Sequence, residues 1–143
     1  MDRKTFLYRA SCAACLAGMG GIGTWLSSCG TGIKPFMEID KKVRNVEIPF
    51  SAWDNNPVVV IARKGANNIA VTRKNNVYKA VALRCTHQGA GLKVKGEEFT
   101  CPLHGSKFSW EGKVLTGPAK EPLTTYDFQT GEGKIILQIR EIT

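Results

Sequence analysis

Short apolar segments separated by Gly, Asn and Pro clusters make up the chain after residue 42. The segments are rich in Val, Ile, Tyr and Phe, which favour extended backbone, and none repeats apolar residues at helical spacing. We predict strands over these ranges: Val43 to Ile48, Val58 to Arg63, Ile69 to Arg73, Val77 to Leu83, Glu98 to Thr100, Lys107 to Trp110, Lys113 to Leu115, Leu123 to Phe128 and Lys134 to Ile139. The pattern predicts an all-β, antiparallel domain over residues 43 to 143, either a sandwich or a small barrel.

The start of the chain has a different pattern. Basic residues precede an uncharged stretch over residues 10 to 33 that is rich in Ala, Gly and Leu. A basic start followed by such a stretch is typical of an export signal. We therefore predict an export signal over residues 1 to 28 and a tether over residues 29 to 42. An uncleaved membrane anchor is the alternative, because the uncharged stretch is long enough to span a bilayer.

Two short motifs refine this prediction. Leu26-Ser27-Ser28-Cys29 resembles a bacterial lipobox, in which cleavage leaves the Cys as a lipidated N-terminus. Arg3-Lys4-Thr5-Phe6-Leu7 resembles a twin-arginine signal, which exports folded proteins, although Lys4 stands where that signal has its second Arg. The lipobox implies a lipoprotein held through Cys29 on the periplasmic side of a bacterial membrane.

Two boxes hold both histidines of the chain and two of its five cysteines. The first reads CTHQGA and contains Cys85 and His87, and the second reads CPLHGS and contains Cys101 and His104. Each box follows a predicted strand and has a Gly soon after its His, which allows a tight turn. We expect both boxes to be loops that meet at one end of the sheet.

Two thiolates and two imidazoles on paired loops indicate a metal site. Tetrahedral zinc accepts such ligands, but zinc ligands usually come as separate Cys pairs and His pairs. Here each loop mixes one Cys with one His. A [2Fe–2S] cluster in which one iron has two Cys and the other two His suits mixed loops, because each loop then reaches both irons.

The two boxes resemble those of the Rieske iron–sulfur family, and the resemblance covers roughly residues 43 to 143. It implies an antiparallel Rieske-type sandwich with a [2Fe–2S] cluster held by two loops at one end. By position, the two cysteines would hold one iron and the two histidines the other: Cys85, Cys101, His87 and His104. Gly117-Pro118-Ala119 resembles the proline loop that covers the cluster in this family, with Gly117 and Pro118 at its centre.

The chain departs from the cytochrome bc branch of this family at three positions. Ala90 and Leu103 stand where that branch has a disulfide that ties its loops together. Ser106 matches a Ser that hydrogen-bonds the cluster, whereas Phe108 replaces a Tyr whose hydroxyl bonds a ligand sulfur. Hydrogen bonds to sulfur raise the midpoint potential of the cluster. Because Ser106 is present and that Tyr is absent, we predict an intermediate midpoint potential within about −150 to +300 mV.

The charge balance adds little to this interpretation. The chain has 20 basic and 12 acidic residues, a formal net charge of +8, scattered in ones and twos without an Arg-rich run. We therefore expect no nucleic-acid partner. Both histidines are already assigned to the cluster, so the chain lacks the second iron site of a Rieske oxygenase.

The expected function is one-electron transfer on the outer side of a bacterial membrane. We expect the protein to act as a carrier or as an electron-transfer subunit of an oxidoreductase. Its partner would be a cytochrome or a membrane oxidoreductase, and the membrane would hold it through its lipid. Two alternatives stay open: a quinol-oxidising subunit of a cytochrome bc-like complex, and a Rieske ferredoxin feeding an oxygenase.

Overall fold

The computed structural model describes residues 33 to 140, so the predicted export signal and Cys29 lie outside the described residues. In order, the strands are β1 (Met37–Asp40), β2 (Asn45–Pro49), β3 (Val58–Lys64), β4 (Ile69–Lys74), β5 (Val77–Ala82), β6 (Lys93–Lys95), β7 (Glu98–Thr100), β8 (Lys107–Ser109), β9 (Val114–Thr116), β10 (Asp127–Gly131) and β11 (Lys134–Gln138). A single turn of 3-10 helix spans Phe50–Trp53. Within residues 33 to 140, no helix has the length and apolar character needed to cross a bilayer.

The strands form three sheets. The first has the order β1-β3-β4-β5, the second β10-β11-β2, and the third β6-β7-β8-β9. Neighbouring strands are antiparallel except β1 and β3, which are parallel. The predicted all-β class is confirmed.

The first sheet is the middle layer, because its residues alternate between two apolar cores. Val59 and Ile61 of β3 pack in a core with the second sheet, which supplies Ile48 and Ile135. Residues 58 and 60 of the same strand face the opposite core, to which the third sheet contributes Phe99 and Phe108. The unbroken apolar run at the start of β3 therefore reflects burial on both faces of the strand.

The structure corrects two of the predicted boundaries. β1 lies inside residues 29 to 42, where we predicted only a tether, and it pairs with β3 along Met37 to Asp40. The predicted strand Leu123 to Phe128 is also misplaced, because the regular pairing of β10 starts at Asp127. Before Asp127, Leu123 donates a hydrogen bond to the carbonyl of Gly112 in the turn between β8 and β9, and Thr125 forms an isolated bridge with Val81 of β5.

Candidate metal centre

The first Cys/His box forms a tight loop between β5 and β6. The N–H of Cys85 donates to the carbonyl of Ala90 at 2.7 Å, and the N–H of Gly89 donates to the carbonyl of Cys85 at 2.8 Å. Gly89 has a φ of +75°, in the left-handed region that favours glycine. These bonds fix the backbone of the loop, and His87 lies at its tip.

The second box repeats this geometry between β7 and β8. The N–H of Cys101 donates to the carbonyl of Ser106 at 2.8 Å, and the N–H of Gly105 donates to the carbonyl of Cys101 at 3.1 Å. Gly105 also has a φ of +75°. The two boxes are thus two copies of one loop design, which explains why each needs a glycine four residues after its cysteine.

The two loops bring the four predicted ligands together. Cys85 and Cys101 are free thiols, each only 2% exposed, in the core shared by the first and third sheets. His87 and His104 are exposed, and their ring centroids lie 5.0 Å apart at an interplanar angle of 83°. The predicted meeting of the loops is therefore observed, with a pair of thiols inside and a pair of imidazoles at the surface.

The environment of Cys101 suits a thiolate. Burial raises the pKa of this thiol. Hydrogen bonds from the backbone of His104 and Leu103 and from the side chain of Cys85 lower the pKa by more, so the net pKa lies below the usual value. Thiolate is the form that binds metal.

The donor set fits a two-iron cluster. The four donors lie as one pair of thiols and one pair of imidazoles. A Rieske [2Fe–2S] cluster takes its ligands in this arrangement, one pair for each iron.

Ser106 connects the second loop to the predicted covering loop. Its side chain is fully buried, and its hydroxyl oxygen accepts a hydrogen bond from the N–H of Ala119 at 3.1 Å. The Ser hydroxyl still has its own hydrogen to donate. Ala119 packs in the same core as the two cysteines, whereas Gly117 and Pro118 before it are exposed.

Phe108 lies in β8 and is fully buried in this same core. It pairs directly with Phe99 of β7, so the two rings form an apolar wall behind the thiols. This wall excludes water from the buried side of the site, and Phe108 contributes to it because its ring carries no hydroxyl.

Thr86 is a site residue that the sequence did not indicate. It lies between Cys85 and His87, and its hydroxyl donates to the carbonyl of Glu121 at 2.7 Å. Together with the bond between Ser106 and Ala119, this contact ties both loops to the segment 119 to 121. Nothing local predicts the contact, because Glu121 lies 35 residues further along the chain.

We expect Thr86→Val to destabilise the domain by about 1 kcal/mol and to speed loss of bound iron, because valine keeps the shape but loses the hydrogen bond. Chemical unfolding and the half-life of the visible absorbance of the bound cluster measure these effects. Thr116→Val is the matched control, since Thr116 is exposed on β9. Equal effects of the two substitutions would contradict a role for Thr86 in tying the loops together.

Comparison with known families supports this site. A family model described as the Rieske [2Fe-2S] domain matches residues 48–127, which is more than half of the chain. The matched range includes both boxes and the segment 117 to 121.

Two curated relatives are iron-sulfur subunits of cytochrome b6-f complexes. The subunit of Chlorobaculum tepidum is 31% identical over 75 residues, covering 51% of this chain and 41% of its own length. The subunit of Chlorobaculum thiosulfatiphilum is 29% identical over 143 residues, covering 95% of this chain and 75% of its own length. The first match thus spans less than half of that relative.

A solved structure has a similar fold. The cyanobacterial plasma membrane Rieske protein from Synechocystis PCC 6803 superposes with a TM-score of 0.58 at 27% sequence identity. The match covers 66% of this chain and 99% of that protein.

Proposed function

The chain belongs to the Rieske [2Fe-2S] family, and from this premise we propose that it transfers single electrons while tethered to the outer side of a bacterial membrane. The domain of this family binds a [2Fe–2S] cluster. When bound, the cluster supplies reversible one-electron transfer. We assign the cluster ligands to the four side chains that the two loops bring together: Cys85, Cys101, His87 and His104.

The observation that carries this proposal is the asymmetry of the four side chains. The two thiols are buried against an apolar wall, so they would hold one iron away from water. The two imidazoles are exposed, so they would hold the other iron where a partner can approach. Electrons would therefore enter and leave at the edge formed by His87 and His104.

The membrane tether rests on different support. Leu26-Ser27-Ser28-Cys29 has the form of a lipobox, and one structurally similar protein is described as a plasma membrane Rieske protein. Lipidation at Cys29 would hold the domain at the surface on the periplasmic side. There it would exchange electrons with a cytochrome or a membrane oxidoreductase, as a carrier or as a subunit of a complex.

A quinol-oxidising subunit of a cytochrome bc-like complex is the second candidate. It is favoured by the two relatives that are b6-f complex iron-sulfur subunits and by the presence of Ser106. Against it, Ala90 and Leu103 leave no loop-to-loop disulfide, and Phe108 lacks a hydroxyl. We therefore place it second.

A redox titration followed by electron paramagnetic resonance (EPR) at several pH values tests the proposal and separates the candidates. One-electron behaviour with a midpoint in the middle of the range of about −150 to +300 mV supports the carrier. A high midpoint that falls as pH rises near neutrality would favour quinol oxidation. A chain that takes up no electron would contradict both.

We expect Ser106→Ala to lower the midpoint potential, because the variant loses a hydroxyl that can donate to the reduced, more negative cluster. A hydrogen bond to a charged group contributes about 1.5–3 kcal/mol, which limits the one-electron shift to roughly 130 mV. The same redox titration measures the shift.

Phe108→Tyr is the complementary variant. It adds a hydroxyl to the wall behind the thiols and should raise the midpoint potential, since a further donor stabilises the reduced state. A fall in the potential of Phe108→Tyr, or no shift in Ser106→Ala, would contradict tuning by these two positions.

A further inference from the structure

Three lysines share the outer face of the third sheet. Lys93 of β6 lies opposite Thr100 of β7, which in turn lies opposite Lys107 of β8. Residues directly opposite one another project from the same face of a sheet, and alternate residues do so along a strand, so Lys95 joins them. The side chains between them, such as Phe99, are buried on the other face. We call Lys93, Lys95 and Lys107 the lysine face.

The lysine face borders the second Cys/His loop. Thr100 and Lys107 form the last strand pair before this loop, which carries Cys101 and His104. With neighbouring strands about 4.8 Å apart, the chain positions of Lys93 and Lys107 are about 10 Å apart across Thr100. The positive charges of Lys93 and Lys107 thus lie beside the second loop, which carries the exposed imidazole of His104.

The charges of the lysine face are largely uncompensated. Residues 33 to 140 contain four ion pairs, between Lys64 and Glu38, Lys74 and Glu97, Lys113 and Glu111, and Lys134 and Glu47. None of them uses a lysine of this face. Glu98 lies opposite Lys95 and offsets part of its charge, so the excess positive charge is centred on Lys93 and Lys107.

An apolar side chain stands next to this charge. Leu103, in the second loop beside His104, is 64% exposed. Protein interfaces commonly combine an apolar centre with a polar or charged rim. Leu103 and His104 supply such a centre, and the lysine face supplies a basic rim on one side.

We propose that the lysine face is the docking surface for an acidic redox partner protein. A partner with a carboxylate-rich face seated here would lie beside the second loop, which carries the exposed His104, where the proposed function has electrons enter and leave. An anionic lipid surface would also be attracted, but it would gain nothing from being next to the imidazole. The proposal rests on the proposed function and adds the chemistry of the partner.

Stopped-flow electron transfer to an acidic and to a basic c-type cytochrome tests the docking surface. The cluster-loaded 143-residue chain is compared with the double variant Lys93→Gln/Lys107→Gln. The control Lys41→Gln/Lys42→Gln removes the same charge from the exposed turn after β1, the edge strand of the first sheet farthest from β5. At low ionic strength we expect the first variant to lose about tenfold in rate with the acidic cytochrome and the control less than about twofold. With the basic cytochrome, the first variant should react faster.

Three results would overturn the docking surface. Equal slowing in both variants would assign the effect to net charge, and unchanged rates would exclude the lysine face. Weaker binding of the first variant to phosphatidylglycerol vesicles, with unchanged cytochrome rates, would assign the lysines to lipid. Dithionite titration separates these results from failure of the proposed function, because it counts electron uptake without docking. A chain that takes up no electron from dithionite would contradict the function itself.

Discussion

Cys101→Ser should lower the iron bound per chain at least about tenfold. Replacing a residue that only hydrogen-bonds a metal ligand already lowers metal affinity about 10–100-fold, and Cys101 is proposed as a ligand itself. The thiol of Cys101 is buried, receives backbone hydrogen bonds and has a lowered pKa, so it is prepared to bind metal as thiolate. A serine hydroxyl ionises far less readily and is a poor ligand for iron in a sulfur-bridged cluster. Iron and sulfide analysis, with the visible spectrum, measures the loss.

The control for this variant is Cys29→Ala, which should keep the full content of iron and sulfide. Both variants remove one thiol, but Cys29 lies directly after the predicted export signal and outside both Cys/His boxes. Far-ultraviolet circular dichroism shows whether Cys101→Ser keeps its strands. A folded Cys101→Ser chain that retains the iron of the unmodified protein would exclude Cys101 as a ligand.

Cys29→Ala should release the protein from the membrane. If the Cys thiol carries the lipid, its replacement removes the anchor, and the acyl chains no longer hold the domain at the surface. A single acyl chain binds a membrane only weakly, so stable attachment depends on all the chains that lipidation adds. Fractionation of cells into membrane and soluble pools, with metabolic labelling by a radioactive fatty acid, measures the effect.

Cys101→Ser serves as the opposite control, since it should lose iron and stay membrane-bound. Membrane attachment of the unsubstituted protein without any fatty-acid label would favour the alternative of an uncleaved anchor over residues 10 to 33. Release of the protein together with loss of iron would contradict the separation of anchor and cluster.

The Cys/His boxes were predictable because their information is local. Within each box, ligand spacing and a following glycine are encoded in six residues, and the glycines adopt the φ of +75° that such a turn requires. The class of the fold was also predictable, since apolar segments separated by turn residues define strands without reference to their partners. The apolar run of β3 was recognised as a strand for this reason.

The missed elements depend on partners that are distant in sequence. β1 has only four residues, MEID, and is held by parallel pairing with β3, some twenty residues away. β6 is a three-residue strand with a single apolar side chain between two lysines. Neither has enough pattern of its own to predict a strand, and each is extended because a neighbouring strand supplies its hydrogen bonds.

The contacts around the site were hidden for the same reason. The bond from Thr86 reaches a carbonyl 35 residues away, and that of Ser106 comes from an N–H 13 residues away. The lysine face depends on the register of β6, β7 and β8, which decides which lysines become neighbours. The sequence indicated a basic protein, and only the strand pairing locates the charge beside the second loop.

Pulsed EPR of the dithionite-reduced protein shows whether two histidines and two cysteines of this chain hold one [2Fe–2S] cluster. We expect a rhombic signal with couplings to two histidine nitrogens, together with two irons and two sulfides per chain. Replacing His87 or His104 should remove that pattern. A cluster without nitrogen coupling, or a chain that binds zinc and gives no signal, would exclude a [2Fe–2S] cluster held by His87 and His104.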